Sequence, residues 1–115
     1  VSAVILSNQG ARHFDTAPAT LDMLPAVVDA VGDQVEVIFD SGIRRGTDIL
    51  KAIALGATAC TGSRLYCYGL AAGGQQGVER ALHLLRSEVE RSMVFMGAAT
   101  LDQVNRDSII SNPQA

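Results

Sequence analysis

Two short runs of this sequence carry the groups best suited to holding an anion. The first is Asp40-Ser41-Gly42-Ile43-Arg44-Arg45-Gly46-Thr47-Asp48, set between the apolar residues 35–39 and the helix-like residues 49–55. A buried strand that feeds a glycine-containing turn and then a helix is a recurrent phosphate cradle. Glycine lets backbone approach the ligand, and amide N–H groups at a helix start carry partial positive charge. Arginines in the same turn add planar, charged donors. The same residues also suit a plain strand-to-helix connection with solvated arginines, so the turn alone leaves both readings open. The second run, Ser7-Asn8-Gln9-Gly10-Ala11-Arg12-His13, follows the apolar opening of the chain. A third polar tip, Gly62-Ser63-Arg64, follows residues 57–61.

The elements that position these tips can be read from periodicity. Residues 1–7 form a short apolar run. From 20 to 31 the apolar positions Leu21, Leu24, Val27, Val28 and Val31 recur at helical spacing, with Pro25 marking an irregular first turn and Gly32 as the stop. Residues 35–39 and 57–61 read as further strands, and 47–55 as a helix closed by Gly56. Residues 65–72 suit a short helix, broken by Gly73-Gly74. A longer helix over 75–96 shows Val78, Leu82, Leu85, Val89 and Met93 on one face and ends at Gly97. Leu101 to Val104 suits a helical turn capped by Thr100, and a loose tail is expected over 108–115. The order is β-α-β-α-β-α. Continuously apolar strands fit a parallel sheet covered by helices, in an open doubly wound sheet or part of a (β/α)8 barrel. In both, ligands gather at the carboxyl ends of the strands, and all three polar tips lie there.

Composition narrows the function. At 115 residues the chain is one domain or part of one. A formal charge of −3 and an aromatic share of 4% argue against a nucleic-acid binder. No run is long enough to span a bilayer, and the opening lacks the features of a signal peptide. Cys60 and Cys67 sit in apolar runs and are expected as reduced core residues of a cytoplasmic protein. His13 and His83 show no ligand spacing with them, so no metal is expected. The absence of an initial methionine suggests a piece of a longer protein.

Five ordered motifs carry a resemblance: residues 7–15, Ala17-Pro18-Ala19-Thr20, residues 40–48, residues 51–57 and Gly69-Leu70-Ala71-Ala72. Together they resemble the C-terminal part of the FMN-dependent L-2-hydroxy acid dehydrogenase and oxidase family, which includes glycolate oxidase, L-lactate dehydrogenase and lactate monooxygenase. The resemblance spans residues 1–107. It implies an α/β fold, a partial (β/α)8 barrel of three parallel β/α units matching units six to eight. It implies FMN as cofactor and oxidation of a small L-2-hydroxy acid, lactate-like, to a 2-oxo acid in the complete protein. Asp40, Ser41, Gly42, Ile43 and Arg44 match the family's phosphate turn, with Ser63 and Arg64 completing it. Ser7 matches a serine that contacts the flavin, and Arg12 the arginine that pairs with the substrate carboxylate. The missing N-terminal barrel half, or a homo-oligomer, is the partner expected, in the cytoplasm or peripheral to the inner membrane face.

Three departures bear on activity. Gln9 stands where the family has its histidine base, and a glutamine amide can hydrogen-bond a hydroxyl but cannot take its proton. Loss of a general base costs about 10²–10⁴ in rate. His13 lies four residues on and is a weaker candidate for that task. Ser41 replaces a glycine, which is tolerable if its φ is negative. Ser63 replaces the glycine before Arg64. A non-catalytic half-barrel that binds phosphate or pairs with a complementary chain is the alternative function. A third is a phosphate-binding barrel like the inosine monophosphate dehydrogenase group, which the run from Ser7 to Arg12 disfavours.

Overall fold

The computed structural model describes residues 1–110. Three strands, β1 (Ala3–Leu6), β2 (Glu36–Asp40) and β3 (Ala59–Thr61), form one sheet in the order β1-β2-β3. Both pairings are parallel, with Ile5 opposite Ile38 and Ile38 opposite Ala59. The connections are α1 (Thr20–Val31) and α2 (Gly46–Ala54), and β3 leads into α3 (Arg64–Met96). This is a partial α/β barrel of three parallel units.

Alternation along the strands sorts the sheet into two faces. Val37 and Phe39 are buried and pack with Leu24 of α1 and Ala52 of α2; Val4, Leu6 and Cys60 join from the flanking strands. The five helical positions of α1 behave as their spacing requires: Leu24 is fully buried, and Leu21, Val27, Val28 and Val31 pack around the same cluster. The helix runs through Pro25 unbroken. On the other face Ala3, Ile5, Glu36, Ile38 and Ala59 have none of the described helices over them, and Ile5 is 65% exposed.

The long helix α3 is two helical runs joined at Gly73 and Gly74, whose φ/ψ values of −157°/24° and 58°/−139° are not helical. The two runs meet at their glycines: a Cβ on Gly69 would stand 2.6 Å from the Gly77 carbonyl oxygen. Of the expected apolar face, Leu85 packs on the main cluster and Val89 and Met93 on a second one with Leu50, Ala54 and Val104. Leu82 instead is 52% exposed, because the helix reaches α2 only with its later turns. The chain then closes on two 3₁₀ turns, Leu101–Gln103 and Arg106–Ser108. Gln103 Oε1 accepts from the Ala99 amide at 2.6 Å. Ile109 still packs on the second cluster. The rest of the tail expected to be loose, residues 111–115, lies outside the described residues.

Candidate functional site

All three polar tips open at the carboxyl end of the sheet, on one cavity of about 930 Å³. Ser7, Gln9, Gly10 and Arg12 line it from the first tip, Asp40 to Arg44 from the second, and Ser63 and Arg64 from the third. Small-molecule sites are typically ~300–1,000 Å³.

Asp40 organises the tips. Its Oδ2 accepts from Ser7 Oγ at 2.5 Å and Ser41 Oγ at 3.2 Å, and its Oδ1 from Thr61 Oγ1 at 2.5 Å. One carboxylate thus ties the ends of all three strands. Partial burial pushes its pKa up, but the hydroxyls of Ser7, Thr61 and Ser41 and the Ser41 backbone outweigh that and hold it below its ordinary value. Thr61 was not among the candidates from sequence. Its signal was its place as the hydroxyl residue ending β3, in register with Asp40.

The first tip is a single left-handed turn. Gln9, Gly10 and Ala11 have φ of +53°, +67° and +58°. Asn8, also not singled out from sequence, holds it: its Oδ1 accepts from the Gly10 amide at 3.0 Å, and its Nδ2 donates to the Pro18 carbonyl at 3.2 Å. The Gln9 amide donates to Ser7 Oγ at 2.9 Å, and Arg12 Nε to the Gln9 carbonyl at 3.2 Å. Arg12 is therefore folded back over the turn that carries Gln9. His13, exposed, does not line the cavity.

The second tip corrects one expectation. Ser41 has φ +91°, so the negative φ that would make serine comfortable there is absent. Its hydroxyl is held between Asp40 and Ser7, the latter at 3.2 Å, which offsets the strain of that backbone. Gly42 follows at φ +80°, and a Cβ there would touch nothing within 4 Å, so the turn is open to a ligand. Ile43 is buried beneath it. Asp48 Oδ2 accepts from the Arg44 and Arg45 amides at 3.1 and 3.0 Å. Arg45 itself points away and pairs with Glu88 at 2.9 Å.

Among the described residues no carboxylate pairs with the guanidinium of Arg12, Arg44 or Arg64. Three unneutralised cations beside an open glycine turn and the start of α3 suit a phosphate and a carboxylate. The residues present therefore fit a phosphorylated cofactor together with an acidic substrate. No group of three metal-ligating side chains gathers among the described residues. Nor is any described helix long and apolar enough to cross a membrane. Cys60 packs on the core and burial pushes its thiol up to about 11. Cys67, expected in the core, is exposed, because its turn of α3 faces the cavity and has no helix packed over it.

A family model described as FMN-dependent dehydrogenase matches residues 1–111. The chain is 47% identical over 110 residues to the pre-mycofactocin synthase of Mycobacterium tuberculosis, covering 96% of this chain and 28% of that protein. It is 41% identical to human 2-hydroxyacid oxidase 1, covering all of this chain and 31% of the relative. The crystal structure of a soluble mutant of the membrane-associated (S)-mandelate dehydrogenase from Pseudomonas putida superposes with a TM-score of 0.92 at 39% identity, over 96% of this chain and 31% of that one. The chain thus spans about three tenths of the length of the relatives it matches.

Proposed function

Since this chain belongs to the FMN-dependent dehydrogenase family, whose cofactor is FMN, we propose that it forms the FMN-phosphate and substrate-carboxylate side of a barrel that oxidises an L-2-hydroxy acid. The observation that carries this reading is the convergence of Arg12, Arg44 and Arg64, without carboxylate partners among the described residues, on one cavity. In the proposed arrangement the open Gly42 turn, Arg44, Ser63 and Arg64 hold the phosphate. Asp40, Ser41 and Ser7 present a polar floor to the rest of the cofactor, and Arg12 orients the substrate carboxylate in a bidentate grip. FMN, when bound, supplies the hydride acceptor. The upstream β/α units of a complete barrel would supply the opposite wall.

Gln9 sets the limit on chemistry. It lies on the cavity wall, where its amide can orient a C2 hydroxyl but not remove its proton. We therefore propose that turnover is weak in the protein as it stands. In the complete flavoprotein, Gln9→His should raise the rate of flavin reduction by L-lactate about 10²–10⁴-fold in anaerobic stopped flow. An unchanged rate would count against the base assignment. A second reading, a module that binds phosphate without turnover, is favoured by the same Gln9. It predicts that FMN raises the thermal midpoint while Gln9→His leaves flavin reduction undetectable.

A further inference from the structure

A close approach joins the turn at residues 9–12 to the third tip. The guanidinium of Arg64 lies against Gly10: a Cβ built on Gly10 would stand 2.7 Å from Nη2, 3.3 Å from Cζ and 3.9 Å from Nε. Arg64 occupies the space where any other residue's side chain would begin. The left-handed backbone of Gly10, at φ +67°, disfavours any other residue, but its neighbours share that backbone. Gln9 and Ala11 on either side adopt φ of +53° and +58° with side chains in place. What separates Gly10 from its neighbours is the arginine seated on it. Arg64 makes no ion pair among the described residues that would fix it otherwise, and it lines both the main cavity and a smaller one of about 230 Å³ bounded by Asn8, Gly10, Thr20 and Gly42.

We propose that Gly10 is a positioning residue for Arg64, and that this seat couples anion binding at Arg64 to the turn that carries Gln9 and Arg12. The proposal rests on reading Arg64 as a phosphate ligand. An anion bound at Arg64 holds the guanidinium on its Gly10 seat and so steadies the turn beneath it, and a change in the turn that lifts the guanidinium weakens the anion in return, because such coupling is reciprocal.

The test uses the chain coexpressed with the upstream β/α units of the barrel and freed of flavin, with inorganic phosphate as probe and NMR of the selectively labelled Arg64 Nε–H and Gly10 amide resonances. Both should move with one midpoint as phosphate is added. Gly10→Ala adds the offending Cβ. Gly10→Asn adds it with a residue that tolerates a left-handed backbone, and it carries the test if the alanine variant does not fold. Either variant should weaken phosphate binding about tenfold, by costing a charge-assisted contact. In an Arg64→Ala background the same Gly10 substitution should change nothing further. Equal weakening with and without Arg64, or unchanged phosphate affinity in Gly10→Asn, overturns the seat while leaving the phosphate reading intact. A chain that binds no phosphate before substitution overturns both.

Discussion

At the scale of single residues, the site concentrates backbone strain and then restrains it. Gln9, Ala11 and Ser41 are non-glycine residues at positive φ, each costing about 1–2 kcal/mol relative to an ordinary backbone. Ser7 and Ser41 are pinned by the Asp40 carboxylate, and the Gln9 amide by Ser7. The ionised form of Asp40 therefore holds the strained tips together. Its folded pKa lies below the ordinary 3.8, so its contribution is fully present above the unfolded value and is lost as pH falls through the folded one. Thermal midpoints should fall with acidification below about pH 4, and Asp40→Asn should flatten that slope relative to the unsubstituted chain. Parallel acid slopes in the two proteins would assign the effect to other carboxylates. Little of this strain was legible in the sequence. Glutamine, alanine and serine do not advertise a left-handed backbone as glycine does, so Ser41 read as tolerable only at negative φ. Two of the hydroxyls that hold Asp40, on Ser7 and Thr61, come from the other strand ends and are distant in sequence, and no local spacing links them.

At the scale of elements, sequence and structure agree where one helix face meets one sheet face. The α1 positions from Leu21 to Val31 follow the period that buries them, and helical spacing alone located the helix. They part where an element depends on its neighbours. Leu82 has the right spacing and no surface to meet. The start of α2 shows the reverse, a tertiary joint with no sequence period. Gly46 is buried against α3, where a Cβ would lie 2.5 Å from the Val89 amide nitrogen and 2.6 Å from Glu88 Cβ. Glu88 reaches over the joint, accepting from the Gly46 amide at 2.8 Å and Arg45 Nε at 3.1 Å. A carboxylate from one helix thus caps the N-terminus of another. The close approach is to backbone, which cannot step aside as a side chain tip can. Gly46→Ala should therefore lower the thermal midpoint more than Glu88→Gln, which removes the charge but keeps the packing. A Glu88→Gln variant less stable than Gly46→Ala would mean that the cap, not the close approach, holds α2 to α3.

At the scale of the whole molecule, the surface is large for the mass. A folded monomer of 12.1 kDa should expose about 6,000 Å², and this chain exposes 7979 Å². One face of the sheet carries Ile5, Ile38 and Ala59 in register with no helix above them among the described residues, and among these β1 and β3 each have an unpaired edge. Tyr68 and Phe95, 71% and 84% exposed, add apolar surface elsewhere on α3. In a closed barrel such a face becomes the interior and the edges vanish, which agrees with a chain spanning about three tenths of its relatives' length. Alone in solution, parallel edges and an apolar face recruit whatever pairs with them. Sedimentation velocity on the isolated chain should show a mass that rises with concentration. Coexpression with the upstream β/α units should convert it to a discrete species with a higher thermal midpoint. A chain that stays monomeric at high concentration and melts cooperatively would mean that the open face is stable in water, and the half-barrel would then stand as a module in its own right.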